Sequence, residues 1–124
     1  IELHPYLQQS ALVKFCQYKG IAVIAYSPLG SPAGAESKPL LLEDKKIKEI
    51  ANHYGKSPAQ VLVRWAIERN TIAIPKSATP GRIKENIDVF DFSLTEEDKK
   101  GMSSLNRNLR YVDPKEWWKI PYFN

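Results

Sequence analysis

TIAIPKSATPGRIKEN, residues 71–86, changes character twice along its length. Thr71, Ile72, Ala73 and Ile74 form a short, uncharged, β-branched run, the pattern of a strand covered on both faces. Pro75 stops it, and a loop with Lys76 and Ser77 follows. Thr79-Pro80 then reads as a helix start, with Thr79 as N-cap and Pro80 at the first helical position, where a missing N–H costs nothing. Within that helix Ile83, Ile87 and Phe90 recur at i, i+4 and i+7 and mark a buried face. Arg82, Glu85 and Asn86 fall together on another side.

The polar residues form a chemical set. A helix N-terminus offers unbonded N–H groups and the positive end of the dipole, which attract phosphate. Lys76 and Arg82 bracket that end, and Ser77 and Thr79 add hydroxyls. Arginine grips phosphate with two parallel hydrogen bonds and stacks on flat rings. Glu85 and Asn86, one turn on, suit an amino-substituted base. Two readings fit this set: a site for a phosphorylated adenosine, or a solvated helix with an ordinary cap.

Working outward, the segments on either side are also short apolar runs and amphipathic helices. Ile1 to Tyr6 reads as a strand broken by Pro5. His4 by itself is a candidate base or ligand, yet no second ligand is at suitable spacing, so it is read as structural. Ser10 to Lys19 is a helix with Leu12, Phe15 and Cys16 inward and Gly20 after its end. Ile21 to Tyr26, IAVIAY, is a strand buried on both faces, leading into the loop Ser27-Pro28-Leu29-Gly30-Ser31-Pro32. Asp44 to Tyr54 is amphipathic, with Ile47, Ile50, Ala51 and Tyr54 on one side and Gly55 at its end; His53 falls off that stripe. Ser57 to Gln60 is a capping box opening a helix to about Glu68. Its Ala59, Leu62, Val63, Ala66 and Ile67 share a side, and Trp65 packs on a neighbouring helix. Thr95 and Asp98 pair at the start of a last helix with Met102 and Leu105 on its apolar face. The alternation of strands and helices predicts an α/β fold with parallel strands.

A chain of 124 residues with 43% hydrophobic and 26% charged side chains suits one soluble globular domain. The net charge of +4 comes without a Lys/Arg block, which argues against nucleic acid. No run approaches the length of a membrane span, and no signal peptide opens the chain. The single cysteine, Cys16, excludes an internal disulfide and fits a cytoplasmic setting. No metal-ligand cluster is apparent.

IPKSATPGRIKEN (residues 74–86), AYSPLGSP (residues 25–32) and HPYL (residues 4–7) occur in the order and spacing of the aldo-keto reductase superfamily, and the chain resembles its aldose/aldehyde reductase branch from Ile1 to about Asn108. The resemblance implies a TIM (β/α)8 barrel. Such a barrel takes about 250 residues, so residues 1–124 are expected to be its C-terminal portion, about three strands with their helices, and 106–124 its terminal loop. It implies NADP(H) as cofactor. Lys76, Ser77, Thr79 and Arg82 would take the adenosine 2′-phosphate, and Glu85 and Asn86 the adenine. Ser27, Leu29 and Ser31 resemble the pyrophosphate contacts. Tyr26, which by itself reads equally as a core cap, would stack on the nicotinamide. Many relatives carry Asp after the second proline of that loop, where this chain has Ala33; Glu36 is at the wrong spacing to replace it. Trp117, Trp118 and Tyr122 in the tail either line a substrate pocket or cover the barrel's outside. The implied reaction is NADPH-dependent reduction of aldehydes or ketones to alcohols. The family's catalytic Tyr, Lys, Asp and His match no position here, so the chain alone is expected to be inactive. Its expected partners are a small carbonyl substrate and either the N-terminal half of the barrel or another copy of the chain. A non-catalytic, crystallin-like use of the fold, or an inactive fragment, is the alternative.

Overall fold

Backbone pairing brings three segments side by side in the computed structural model, which describes residues 1–31, 38–113, 115 and 119. Glu2 forms a single parallel bridge to Tyr26. Strand β1 (Ile24–Ala25) pairs in parallel with β2 (Ile72–Ala73), Ile24 opposite Ile72 and Ala25 opposite Ala73. The N–H groups of Ile72 and Ile74 donate to the carbonyls of Val23 and Ala25 at 2.9 and 3.2 Å. Helix α1 (Ser10–Tyr18) joins the first segment to β1. A 3-10 turn (Leu41–Glu43), α2 (Lys45–Tyr54) and α3 (Pro58–Glu68) join β1 to β2. Helices α4 (Pro80–Ile87) and α5 (Glu96–Ser103) follow. From α1 onward the order is the expected alternation, but the strand expected over Ile1 to Tyr6 is reduced to isolated bridges, and the regular strands are only two residues long.

The helix ends form where the residue types dictate. Asp44 caps α2 through Oδ1, which accepts from the N–H groups of Lys46 and Ile47 at 2.8 and 3.3 Å. Gly55 closes it with φ +61°, a conformation that costs glycine nothing. Ser57 and Gln60 form a reciprocal capping box on α3, as do Thr95 and Asp98 on α5. The core gathers Leu3, Tyr6, Val23, Ala25, Ile47, Leu62, Trp65, Leu94 and Met102. Each large apolar side chain so buried contributes about 1.5–3 kcal/mol. Leu62 and Val61 are fully enclosed on α3, the central helix.

Three expectations about burial are corrected. Of the strand residues expected to be covered on both faces, Ile21, Ile24, Ile72 and Ile74 are about half exposed, while Val23 and Ala25 are buried. On α4, Ile83, Ile87 and the following Phe90 are exposed, at 54%, 70% and 69%. On α1, Val13 is the buried residue; Leu12 and Phe15 are exposed and Cys16 is half-buried. A helical or strand period tells which residues share a face. It does not tell whether another element lies over that face. Among the described residues β2 pairs only with β1, and Ile72 and Ile74 stay about half exposed.

His4 lies in the core, where a structural reading would put it. It is fully buried, with Nε2 3.0 Å from Glu2 Oε1 and its ring edge-on to Tyr111. His53 is exposed, as its place off the α2 stripe requires. Among the described residues no helix is long and apolar enough to cross a membrane, and no group of His, Cys, Asp or Glu is arranged to hold a metal. Trp117, Trp118, Tyr122, Ala33 and Glu36 lie outside the described residues.

Candidate functional site

The parallel register sets where the site forms. Because Ala25 lies opposite Ala73, the chain leaves β1 and β2 at the same end, and the Ser27–Ser31 turn emerges beside the Pro75–Thr79 loop. In parallel α/β sheets this carboxyl end is where ligands collect. An open cleft of about 900 Å³ lies between the two loops. Its wall includes Ser27, Leu29 and Ser31 from the first and Lys76, Ser77, Thr79, Arg82, Glu85 and Asn86 from the second. Nine of the ten residues expected to touch a cofactor therefore meet in one space. The tenth, Tyr26, is not part of this wall. It is half-buried, and its backbone is tied to the first segment through Ile1 and Leu3.

The Ser27–Ser31 turn is tight. Ser27 and Gly30 both have positive φ, 49° and 76°, and the Gly30 N–H donates to the Ser27 carbonyl at 2.9 Å. On the other wall Thr79 is the N-cap of α4 by position, with Pro80 next, but its side chain makes no capping bond. Ser77 Oγ accepts from the Thr79 N–H at 3.2 Å. No side chain caps the first turn of α4, and Thr79 and Arg82 at that end line the cleft. Helix α3 also borders the cleft, through Ser57, Pro58 and Ala59, but its capping box already satisfies its end. Of these two helices, α4 is the one with donors to offer.

The charges around the cleft favour an anion at α4. Among the described residues Lys76 and Arg82 are exposed and neither forms an ion pair. Glu43 also lines the cleft, but Lys48, a neighbour in the same wall, pairs with it. Glu85 and Asn86 are half-buried on the inner side of α4. Two cations, two hydroxyls and a helix N-terminus can bind a phosphate group. A carboxylate and an amide one turn on can pair with a base edge.

Helix α4 is positioned from below by α3. Gln60 Nε2 donates to the Asp88 carbonyl at 2.7 Å, and Arg64 donates to the Val89 carbonyl at 3.2 Å and Ser93 Oγ at 2.9 Å. Sequence reading did not anticipate Leu42, Glu43, Lys48 or Ser57–Ala59 in the wall. The Ser-Pro capping pair announced a helix end at residues 57–58. Only the fold reveals that this end faces the same cleft.

Comparison with known proteins places these features in context. Residues 1–107 match the model of the aldo/keto reductase family. Aldo-keto reductase family 1 member A1 of Gallus gallus is 52% identical over 117 residues, and that of Homo sapiens is 49% identical over the same length. The member A1-A of Danio rerio is 50% identical. Each comparison covers 92% of this chain and 36% of the relative, so the chain spans about a third of the length of the relatives it matches. With the family model matched over most of its length, the chain belongs to the aldo/keto reductase family.

Proposed function

We propose that this chain is the nucleotide-holding part of an NADPH-dependent reductase of aldehydes or ketones, and that it derives from the C-terminal portion of the family's (β/α)8 barrel. The observation that carries this reading is the convergence of the Ser27–Ser31 turn and the Lys76–Asn86 segment on one cleft. The donor set fits the cofactor. Lys76, Arg82, Ser77 and Thr79 at the uncapped end of α4 would hold the 2′-phosphate, with Glu85 and Asn86 on the adenine. Ser27, Leu29 and Ser31 would hold the pyrophosphate, and Tyr26 would lie against the nicotinamide. Bound there, the cofactor supplies the hydride; the protein binds and orients it.

Arg82 and Lys76 make the reading testable, because NADPH and NADH differ by a single phosphate. A hydrogen bond to a charged group is worth about 1.5–3 kcal/mol, and about 1.4 kcal/mol is tenfold in affinity. In fluorescence titrations at fixed ionic strength, Arg82→Ala should weaken NADPH by about one to two decades and leave NADH nearly unchanged. Equal weakening of both, or no binding of NADPH by the unaltered chain, would remove the 2′-phosphate assignment.

No carbonyl reduction is expected from the 124-residue chain alone. A general acid needs a pKa near the working pH. Tyr6, Tyr54 and Tyr111 are all shifted the other way, upward, chiefly by burial. Their hydroxyls donate to Asp44, Asp98 and the Pro39 carbonyl. Lack of a proton donor alone typically costs 10² to 10⁴ in rate. Steady consumption of NADPH by the pure chain with a reactive aromatic aldehyde would overturn this. The partner we assign to the open edge of β2 is the remainder of the barrel, and the substrate a small carbonyl compound.

A further inference from the structure

The segment after α5 bears on the cleft without lining it. Glu2 is 1% exposed, and a carboxylate so enclosed is costly unless donors fill its oxygens. Oε1 accepts from the Tyr111 N–H at 2.7 Å and from His4 Nε2 at 3.0 Å; Oε2 accepts from the Val112 N–H at 3.2 Å. The Arg110 guanidinium lies 3.7 Å from Oε2. One buried carboxylate thus fastens residues 110–112. The same residue's backbone bridges to Tyr26, which immediately precedes the Ser27–Ser31 turn. The fastening is at the root of that turn.

Tyr111 is what the fastening holds in place. A Cβ at Gly30 would come within 3.2 and 3.3 Å of Cε2 and Cζ of the Tyr111 ring, so the ring lies directly behind the turn. The Tyr111 hydroxyl donates to the Pro39 carbonyl at 2.5 Å. Lys38 Nζ donates to the carbonyls of Arg110 and Tyr111 at 2.8 and 3.3 Å. Burial pushes the Tyr111 hydroxyl up to about 12, so it remains a donor at any ordinary pH. A turn with two positive φ values, one of them at a serine, persists only where its surroundings support it.

We propose that Tyr111 is a positioning residue: held by Glu2, its ring and hydroxyl fix the Ser27–Ser31 turn for the pyrophosphate of a dinucleotide, so that it governs affinity for the whole dinucleotide and not for its adenosine end. The inference rests on the cofactor reading above, and the two fail differently. Titrate the full chain with NADPH and, separately, with adenosine 2′-monophosphate, which lacks the pyrophosphate. Tyr111→Phe keeps the ring and removes a neutral hydrogen bond. Such bonds are worth about two- to tenfold, so NADPH should weaken by about three- to tenfold, with the adenosine phosphate unchanged. Amide exchange at Gly30 should quicken in the ligand-free variant. Glu2→Gln leaves Tyr111 intact but removes the charged acceptor, and it should give the same split.

Equal weakening of both ligands would make Tyr111 a stability residue only, and no change in either would remove its role; both outcomes overturn the proposal. If the unaltered chain binds neither ligand, the cofactor reading falls and this inference falls with it. If it binds both and only the split is missing, the cofactor reading survives and the positioning role does not.

Discussion

Glu68 shows how one side chain can join three elements. It leaves the end of α3, where Oε1 accepts from Arg64 Nε at 2.7 Å and from the Leu94 N–H at 3.0 Å. Lys99 of α5 lies 3.3 Å from Oε2. Burial works to raise the carboxyl's pKa, but the donors outweigh it, and the group lies below its ordinary value of 4.5. A carboxyl depressed in the folded state stabilises the fold above its unfolded pKa. That contribution is lost as pH falls through the folded value. Glu68→Gln keeps the shape and removes the charge. At pH 7 it should cost about 1.5–3 kcal/mol, the range for hydrogen bonds to charged groups. The gap between the two proteins should close as the pH drops below 4.5. Asp98 is depressed too, opposed by burial but held down by Tyr54 and Thr95, so total stability falls in the same range for both proteins. The difference between them isolates Glu68. Denaturant unfolding at several pH values would measure it, and a pH-independent gap would show that the charge contributes nothing.

At the scale of elements, what was legible in the sequence was what is decided locally. The capping boxes at Ser57 and Thr95 and the Gly55 stop depend on neighbours within one turn, and all form as read. Thr79 shows the limit. Its position at the N-cap was legible, but the missing side-chain bond was not. The grouping of Lys76, Arg82, Glu85 and Asn86 was legible from helical spacing, since all belong to one loop and helix. Their meeting with Ser27 and Ser31 came only from resemblance; parallel pairing across α2 and α3 leaves no local mark. Glu2 was not legible at all as a buried acceptor. Its partners are at Tyr111 and Val112, and charged residues are seldom enclosed unless paired. The burial of Ile83 and Ile87 was misjudged for the opposite reason: their face is apolar, but nothing described lies over it.

Among its described residues the molecule therefore presents an open apolar side, and that side bears on its behaviour in solution. Strand β2 pairs with β1 on one edge; among the described residues its other edge has no partner. Beside that edge runs a groove of about 590 Å³ whose walls include Ile67, Ile72, Ile83, Ile87 and Phe90. Ile24, Ile72, Ile74, Ile83, Ile87 and Phe90 are all 48% exposed or more. Contiguous apolar surface beside a bare strand edge is a template for association. Burying each large apolar side chain contributes about 1.5–3 kcal/mol, enough for several together to offset the entropy of joining two chains. The 124-residue chain, with no other part of a barrel supplied, should therefore self-associate as its concentration rises. Sedimentation velocity across a concentration series would show the shift. Ile72→Lys combined with Ile87→Lys puts charge at the centre of the groove, where residues already half exposed or more tolerate it within the fold. This pair should return the chain to monomer without a loss of helical signal in circular dichroism. A unaltered chain that stays monomeric at every concentration, with cooperative unfolding, would mean that water covers this face at no serious cost, and that the assignment of a barrel partner to the β2 edge lacks a physical driving force.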